Sequence, residues 1–134
     1  MTNALYTKAK EAFLSAGVNL ASDTIKVALV DTGTYTVNIA THQFYSSVTG
    51  VVGTPQTLAS KTVTNGVFDA ADVTFTSVTG ATVEALIIYK DTGSSATSPL
   101  IAYIDTATGL AVTPNGGDIT ITWDNGANKI FALT

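Results

Sequence analysis

Two apolar segments separated by a short polar turn constrain the fold of this chain most strongly. They read ATVEALIIYKD and SPLIAYID, and the residues between them are mostly glycine, serine and threonine. Short apolar runs rich in β-branched residues and bounded by turn residues are typical of buried strands. The pattern therefore predicts a buried β-hairpin, with Lys90, Asp91 and Asp105 as the solvated ends of its strands.

Alternation of apolar and polar residues predicts further strands on either side of this hairpin. The chain has 24 threonines and no arginine, and charged residues make up 12% of it, about half of the usual ~25%. Threonine is β-branched and packs well on a pleated surface, so this composition favours strands. An Asn-Gly pair in TNGV predicts a tight hairpin turn. The apolar positions that alternate are Ile25, Val27, Leu29, Val73, Phe75, Ile119, Ile121 and Trp123.

The opening segment, MTNALYTKAKEAFLSAGVNL, predicts a helix over residues 1–17. Thr2 or Asn3 can cap its first turn, and Gly17 lies where a left-handed residue commonly ends a helix. One narrow apolar stripe with helical spacing indicates that the helix packs against a sheet or a second subunit. The stripe consists of Leu5, Ala9, Ala12, Phe13 and Ala16.

These elements predict a mainly β protein with a single domain over residues 1–134. The fold is expected to be an antiparallel β-sandwich or a partly closed barrel over residues 23–134, with the N-terminal helix docked against it. The segment THQFYSSVTG is interpreted either as a short helical turn capped by Thr41 or as an irregular loop that carries Phe44 and Tyr45 inward.

The charge of the chain argues against nucleic acid or a membrane as a partner. Its formal net charge is −4, and its six lysines are scattered. Phosphate recognition and anionic lipid surfaces both require clustered basic residues. No apolar run is long enough to span a bilayer, and no signal peptide is expected, so synthesis in the cytoplasm is predicted. Without cysteine the chain has no disulfides and no thiol nucleophile.

Residues capable of catalysis are few and dispersed. His42 is the only histidine, and no serine lies in a GxSxG segment that could complete a triad with it. Asp69 and Asp72 could act as paired carboxylates or bind calcium, but turn formation is the favoured interpretation. A cation held between loops by the aspartates at predicted strand ends and turns is a weaker alternative; these are Asp91, Asp105, Asp118 and Asp124. We expect no catalytic, cofactor-binding or metal-binding residues, and we expect Trp123 to lie in the core, with an interface position as the alternative.

Several blocks of the sequence, in their order and spacing, resemble a family of small virion proteins of tailed bacteriophages. The blocks are DTIKVALVDTGTY, THQFYSSV, LASKTVTNGVFDAADVTF, YKDTG with SPLIAYID, and DITITWDNGANKIFALT. Phe75 stands where the family leads us to expect tryptophan. The resemblance implies a virion component without enzymatic activity, and it supplies no catalytic or cofactor residues.

The resemblance leads us to expect a capsid decoration (cement) protein, located on the capsid surface of the virion. The expected partners are the major capsid protein and the chain itself, as a homotrimer. Candidate contact residues, which could equally be core, are Leu5, Tyr6, Phe13, His42, Phe44 and Tyr45. Two alternatives stay open: a tail or baseplate subunit, and a carbohydrate-binding domain for host recognition. The second would use Tyr35, Tyr45 or Trp123 to stack on sugar rings.

Overall fold

A computed structural model describes residues 3–107, 110–123 and 129–132 of the chain. Helix α1 spans Thr7–Leu14, and a 3₁₀ turn spans Tyr45–Ser47. The strands are β1 (Ala4–Leu5), β2 (Ile25–Val30), β3 (Val51–Thr57), β4 (Thr62–Thr64), β5 (Val67–Asp69), β6 (Val73–Phe75), β7 (Ala85–Lys90), β8 (Leu100–Ile104), β9 (Ile119–Ile121) and β10 (Phe131–Ala132).

The strands form three antiparallel sheets. The largest has five strands in the order β1-β8-β7-β2-β3, a second has the order β10-β5-β4, and β6 pairs with β9. Strands β7 and β8 pair directly, which confirms the predicted hairpin. All six residues of β2 pair with β7, so the hairpin lies inside the sheet rather than at its edge.

One apolar core joins the inner face of the five-stranded sheet to the two smaller sheets, which gives the sandwich that the sequence predicts. None of the described sheets closes into a barrel. Phe75, at the position where tryptophan was expected, is 1% exposed and belongs to this core. The inner core includes Ile25, Val27, Leu29, Phe68, Val73, Phe75, Leu86, Ile88, Ile104, Ile119, Ile121 and Trp123.

A second apolar cluster covers the outer face of the five-stranded sheet. It explains why β2 is buried on both faces: Ile25, Val27 and Leu29 point inward, while Ala28 and Val30 point outward. The outer cluster is completed by residues from α1 and from the segment between β2 and β3. Its buried members are Tyr6, Ala9, Ala28, Val30, Tyr35, Ala85, Ile87, Tyr89, Leu100 and Tyr103.

The start of the helix differs from the prediction. Of the two predicted caps, Thr2 lies outside the described residues. Asn3 is not a helix cap, because its amide donates to Thr106 Oγ1 at 2.6 Å and accepts the Asp105 backbone N–H at 2.7 Å. Ala4 and Leu5 pair with β8 instead, so the helix begins only at Thr7. The edge of β8 supplies hydrogen-bond partners that a longer helix would leave unpaired, and this tertiary contact overrides the local apolar spacing.

The end of the helix also differs, by one residue. Ala16, not Gly17, has the left-handed backbone conformation, with φ of 62°. The N–H of Gly17 donates to the carbonyl of Ala12 at 2.7 Å, and that of Ala16 to Phe13 at 3.4 Å. These two bonds form a Schellman motif, which satisfies two carbonyls at the helix end. Val18 follows at 7% exposure and enters the inner core.

The hairpin between β4 and β5 confirms the Asn-Gly turn. Asn65 and Gly66 have φ values of 53° and 77°, the combination required by a type I′ turn.

On the exterior, two pairs of threonines from different segments form hydrogen bonds between their hydroxyl groups. Thr74 and Thr120 lie 3.2 Å apart through their Oγ1 atoms, and Thr82 and Thr113 lie 3.0 Å apart.

Candidate functional site

Most residues expected to form an interface lie in one layer on the outer face of the five-stranded sheet. We call this the outer layer, and it consists of helix α1 and residues 38–48. The two parts meet where the backbone N–H of Thr7 donates to the carbonyl of Ile39 at 3.0 Å. The segment is also fixed to the start of β8, because Phe44 forms a β-bridge with Pro99. The outer layer is therefore anchored at both ends.

A chain of three hydrogen-bonded side chains runs from the sheet to the surface of the outer layer. The hydroxyls of Tyr6 and Tyr35 lie 2.8 Å apart, and the Tyr35 hydroxyl lies 2.8 Å from Nδ1 of His42. Tyr6 is 0% exposed and Tyr35 is 2% exposed, whereas His42 is half-buried. Burial raises the pKa of both tyrosines, so both hydroxyls stay protonated and act as structural hydrogen-bond partners.

A stacked pair of tyrosines fixes the 3₁₀ turn to the sheet. The rings of Tyr45 and Tyr89 lie 4.0 Å apart between centroids and within 9° of parallel. Burial raises the pKa of both hydroxyls. The backbone N–H of Tyr45 also donates to the carbonyl of Ser98 at 2.8 Å. The segment THQFYSSVTG thus contains a short helical turn, although Phe44 rather than Thr41 precedes it, and Tyr45 packs against the outer cluster.

The six expected contact residues differ in how they are placed. Tyr6 is completely buried in the isolated chain, and the other five are half-buried. Tyr6, Phe13, His42, Phe44 and Tyr45 belong to the outer layer or its junction with the sheet, whereas Leu5 packs against the inner core. The surface of the outer layer therefore includes only parts of these side chains.

Two exposed apolar side chains were missed by the reading of the sequence. Leu14 is 91% exposed and Val63 is 52% exposed. Leu14 lies off the apolar stripe of the helix, so its exposure could have been predicted from helical spacing. Val63 lies between Thr62 and Thr64 in β4, where the position of the strand in its sheet decides the exposure. No local pattern carries that information.

The charged residues around the central hairpin form ion pairs with neighbouring elements. Lys26 Nζ lies 3.1 Å from Asp91, and Lys90 Nζ lies 3.1 Å from Asp23. The Gly93 backbone N–H, followed by Lys26, holds the pKa of Asp91 below its usual range. Both partners of each pair are partly buried, so these groups are more than solvated strand ends. They hold the hairpin against β2 and the segment before it.

The carboxylate of Asp72 has a structural role, although not the one predicted. Its Oδ1 accepts the backbone N–H of Trp123 at 3.0 Å, so it joins two separate segments rather than shaping its own turn. Trp123 is 5% exposed, and its indole N–H donates to the carbonyl of Ala71 at 3.1 Å. The predicted core position of Trp123 is confirmed. Asp118 acts similarly, since its Oδ1 accepts the N–H of Ser77 at 3.1 Å.

A cavity of about 330 Å³ opens between the edges of two sheets, at β1 and β10. Its lining includes Leu5, Ile104 and Phe131 with the polar groups of Asn3 and Thr106. Asn3 and Thr106 are hydrogen-bonded to each other, so these groups already have partners. The lining also includes Tyr103 and Lys129, so the cavity has both apolar and polar walls.

Within the described ranges, no cluster of three or more histidine or acidic side chains could hold a metal ion. The same residues include no helix long and apolar enough to cross a membrane.

The aromatic residues considered for sugar binding are mostly inaccessible. Tyr35 and Trp123 are buried, and one face of the Tyr45 ring is covered by Tyr89. Sugar recognition by stacking requires an open aromatic face, so two of the three candidate residues cannot provide one in this structure.

No model of a known protein family matches the chain, and no curated protein matches it.

Proposed function

We propose that this chain is a non-enzymatic structural protein of a tailed-bacteriophage virion, and that it decorates the outer surface of the capsid. The observation that carries the proposal is the order and spacing, over most of the chain, of sequence blocks that resemble small phage virion proteins. In this proposal the partners are the major capsid protein and further copies of the chain, assembled as a homotrimer. The protein is made in the host cytoplasm and functions in the virion.

The bonding of the polar side chains supports a binding role over a catalytic one. Asp23, Asp91 and Asp72 are engaged in ion pairs or in hydrogen bonds to backbone N–H groups, and His42 is bonded to a buried tyrosine. A catalytic acid or base needs a position from which it can reach a substrate proton. These groups instead connect separate segments of the fold.

The outer layer is the proposed contact surface for the capsid. Hydrogen bonds and ring stacking hold it to the sheet, so it presents a fixed shape. Its helix ends at Leu14, whose side chain is exposed. Many identical weak contacts on a shell become effectively permanent through avidity. A rigid, weakly charged protein suits this mechanism, because each contact loses little conformational entropy on binding.

The copy number of the chain in purified virions tests the proposal. Quantitative mass spectrometry would compare this chain with the major capsid protein in particles of the phage that encodes it. We expect a ratio approaching one copy per capsid subunit. A handful of copies per particle would instead indicate a tail or baseplate subunit, and absence from the particle would reject a virion role altogether.

A further inference from the structure

Among the described strands, β4 has no neighbour along one edge, and this edge is formed by exposed residues. It lies at the end of the three-stranded sheet, and all three of its residues, Thr62, Val63 and Thr64, are exposed. Val63 is 52% exposed, so its apolar side chain is accessible to a partner. This edge is the feature of the described structure that most clearly fits a partner.

The backbone of Val63 points its hydrogen-bonding groups toward that free edge. Thr64 pairs with Val67 across the two-residue turn, and Val63 pairs with Phe68. In such a hairpin the pair next to the turn exchanges hydrogen bonds and the next pair does not. Phe68 agrees with this geometry, since its carbonyl accepts the N–H of Ile130 on the opposite side. The N–H and C=O of Val63 are therefore directed outward.

An apolar row crosses this sheet and ends at the same residue. Phe131 pairs with Phe68, and Phe68 pairs with Val63, so the three side chains lie on one face. The rings of Phe131 and Phe68 lie 5.3 Å apart between centroids. The row is buried at Phe68 and half exposed at Val63, so a strand added beside β4 would extend it.

The two edges of the five-stranded sheet are less suited to pairing. Strand β3 contains Pro55, a glycine with φ of 71° at position 53, and a shift in its register with β2. Strand β1 has only two residues. Proline, irregular pairing and short length are common ways to protect an edge from other chains. Strand β4 contains no proline, and its pairing with β5 is regular. Lys61 precedes the strand, but its ammonium group donates a hydrogen bond to the carbonyl of Asp23.

We propose that two copies of this chain pair through their β4 edges, antiparallel, about a two-fold axis that passes between their Val63 residues. The segment Thr-Val-Thr reads the same in both directions, so the pairing places Val63 against Val63 and Thr62 against Thr64 of the second copy. Lys61 then faces Asn65, and no like charges meet. Each Val63 donates its N–H to the carbonyl of the other, and the two sheets become one of six strands.

This pairing goes beyond the proposed capsid role and does not depend on it. A contact on a two-fold axis joins copies in pairs, so it would act between trimers rather than within one. Its three-residue length makes it smaller than a stable dimer interface. We therefore expect weak pairing in solution and firm pairing where neighbouring copies are held close together.

Disulfide crosslinking tests the pairing, because the chain contains no cysteine of its own. Opposed residues in a hydrogen-bonded antiparallel pair have Cα atoms ~5.5 Å apart, within the range that a disulfide spans. The full-length Val63→Cys variant, concentrated and oxidised, should run mainly as a dimer on a non-reducing denaturing gel. Leu14→Cys is the control, since residue 14 is more exposed than residue 63 and reports random collision.

The register of the pairing has its own test. Thr62→Cys should crosslink with Thr64→Cys when the two proteins are mixed, and neither should crosslink efficiently with itself. Circular dichroism of each variant checks the fold. The proposal is overturned if Val63→Cys forms no more dimer than Leu14→Cys, or if the two threonine variants crosslink with themselves as well as with each other. Sedimentation of the Val63→Lys variant should show loss of the concentration-dependent association of the unmodified chain.

Discussion

The hydroxyl of Tyr35 lies 2.8 Å from Nδ1 of His42 and 2.8 Å from the hydroxyl of Tyr6, so one side chain connects the interior of the fold to its outer layer. Tyr35→Phe would remove the central member and leave the Tyr6 hydroxyl buried without a partner. We expect a loss of about 1–3 kcal/mol in the free energy of unfolding, measured with urea.

Two further variants make this prediction specific. Tyr6→Phe removes the terminal hydroxyl and leaves the bond between Tyr35 and His42 intact, so its cost should be smaller. Adding Tyr6→Phe to Tyr35→Phe removes the unpaired hydroxyl and should recover part of the loss. A double variant that is less stable than Tyr35→Phe alone would contradict this account.

The ion pair between Lys26 and Asp91 predicts a dependence of stability on pH. The folded state lowers the pKa of Asp91, through the Gly93 N–H and then Lys26, so folding favours the deprotonated carboxylate. Its contribution is fully present above the unfolded pKa of ~3.9 and is lost progressively as pH falls through the lower pKa of the folded state. Asp91→Asn should lower the urea midpoint at pH 7 and should differ less from the unmodified chain at pH 3. An equal difference at both pH values would argue against this role.

The end of the helix predicts a stabilising substitution. Ala16 is exposed and has φ of 62°, a conformation that costs a residue with a β-carbon about 1 kcal/mol. Ala16→Gly should therefore raise the melting temperature, measured by calorimetry. Gly17→Ala is the matched control, because φ at residue 17 is not in the left-handed region and an added β-carbon would lie 3.5 Å from Ala12. We expect that control to change stability little.

Asp72 and Asp69 should differ in their effect on stability. Asp72→Ala removes the acceptor of the Trp123 N–H, and we expect a loss of about 1 kcal/mol. Asp69→Ala should cost less, because Asp69 accepts no such bond from another segment of the described chain. Trp123 is the single tryptophan and is buried, so its fluorescence reports unfolding in both variants. Equal losses of stability in the two variants would argue that the hydrogen bond from the Trp123 N–H to Asp72 contributes nothing specific.

Leu14 links stability to the proposed function. The side chain is 91% exposed, so Leu14→Ser should change the free energy of unfolding by less than about 0.5 kcal/mol. If the outer layer contacts the capsid, this variant should bind less well to particles that lack the protein, measured by co-sedimentation. Lys10→Ser, an exposed substitution on the same helix, is the control. Unchanged binding of Leu14→Ser would place the contact elsewhere.

The sequence predicted those parts of the fold that depend on local patterns. The central hairpin and the Asn65–Gly66 turn followed from apolar runs and turn residues, and the core position of Trp123 followed from alternation. The start of the helix was wrong because the edge of β8 captures Ala4 and Leu5, a contact between residues about 100 positions apart. The spacing of apolar residues within one segment cannot predict pairing with such a distant strand.

In the candidate site, too, residue identities could be predicted from the sequence, whereas contacts between distant residues could not. His42 was identified as the single histidine, but its bond to Tyr35 and the link onward to Tyr6 depend on how the outer layer folds over the sheet. The ion pairs of Asp23 and Asp91 join residues far apart in the chain. Exposure of Val63 depends on the order of strands in a sheet. Each of these follows from topology, which residue spacing alone does not determine.

The paired threonine hydroxyls on the exterior have a consequence for the conditions that the protein can tolerate. Thr74 with Thr120, and Thr82 with Thr113, satisfy each other without carrying charge. Hydroxyl pairs do not titrate near neutral pH, and salt does not screen them as it screens ion pairs between exposed charges. These two contacts should therefore persist from dilute to concentrated salt, where ion pairs between exposed charges weaken.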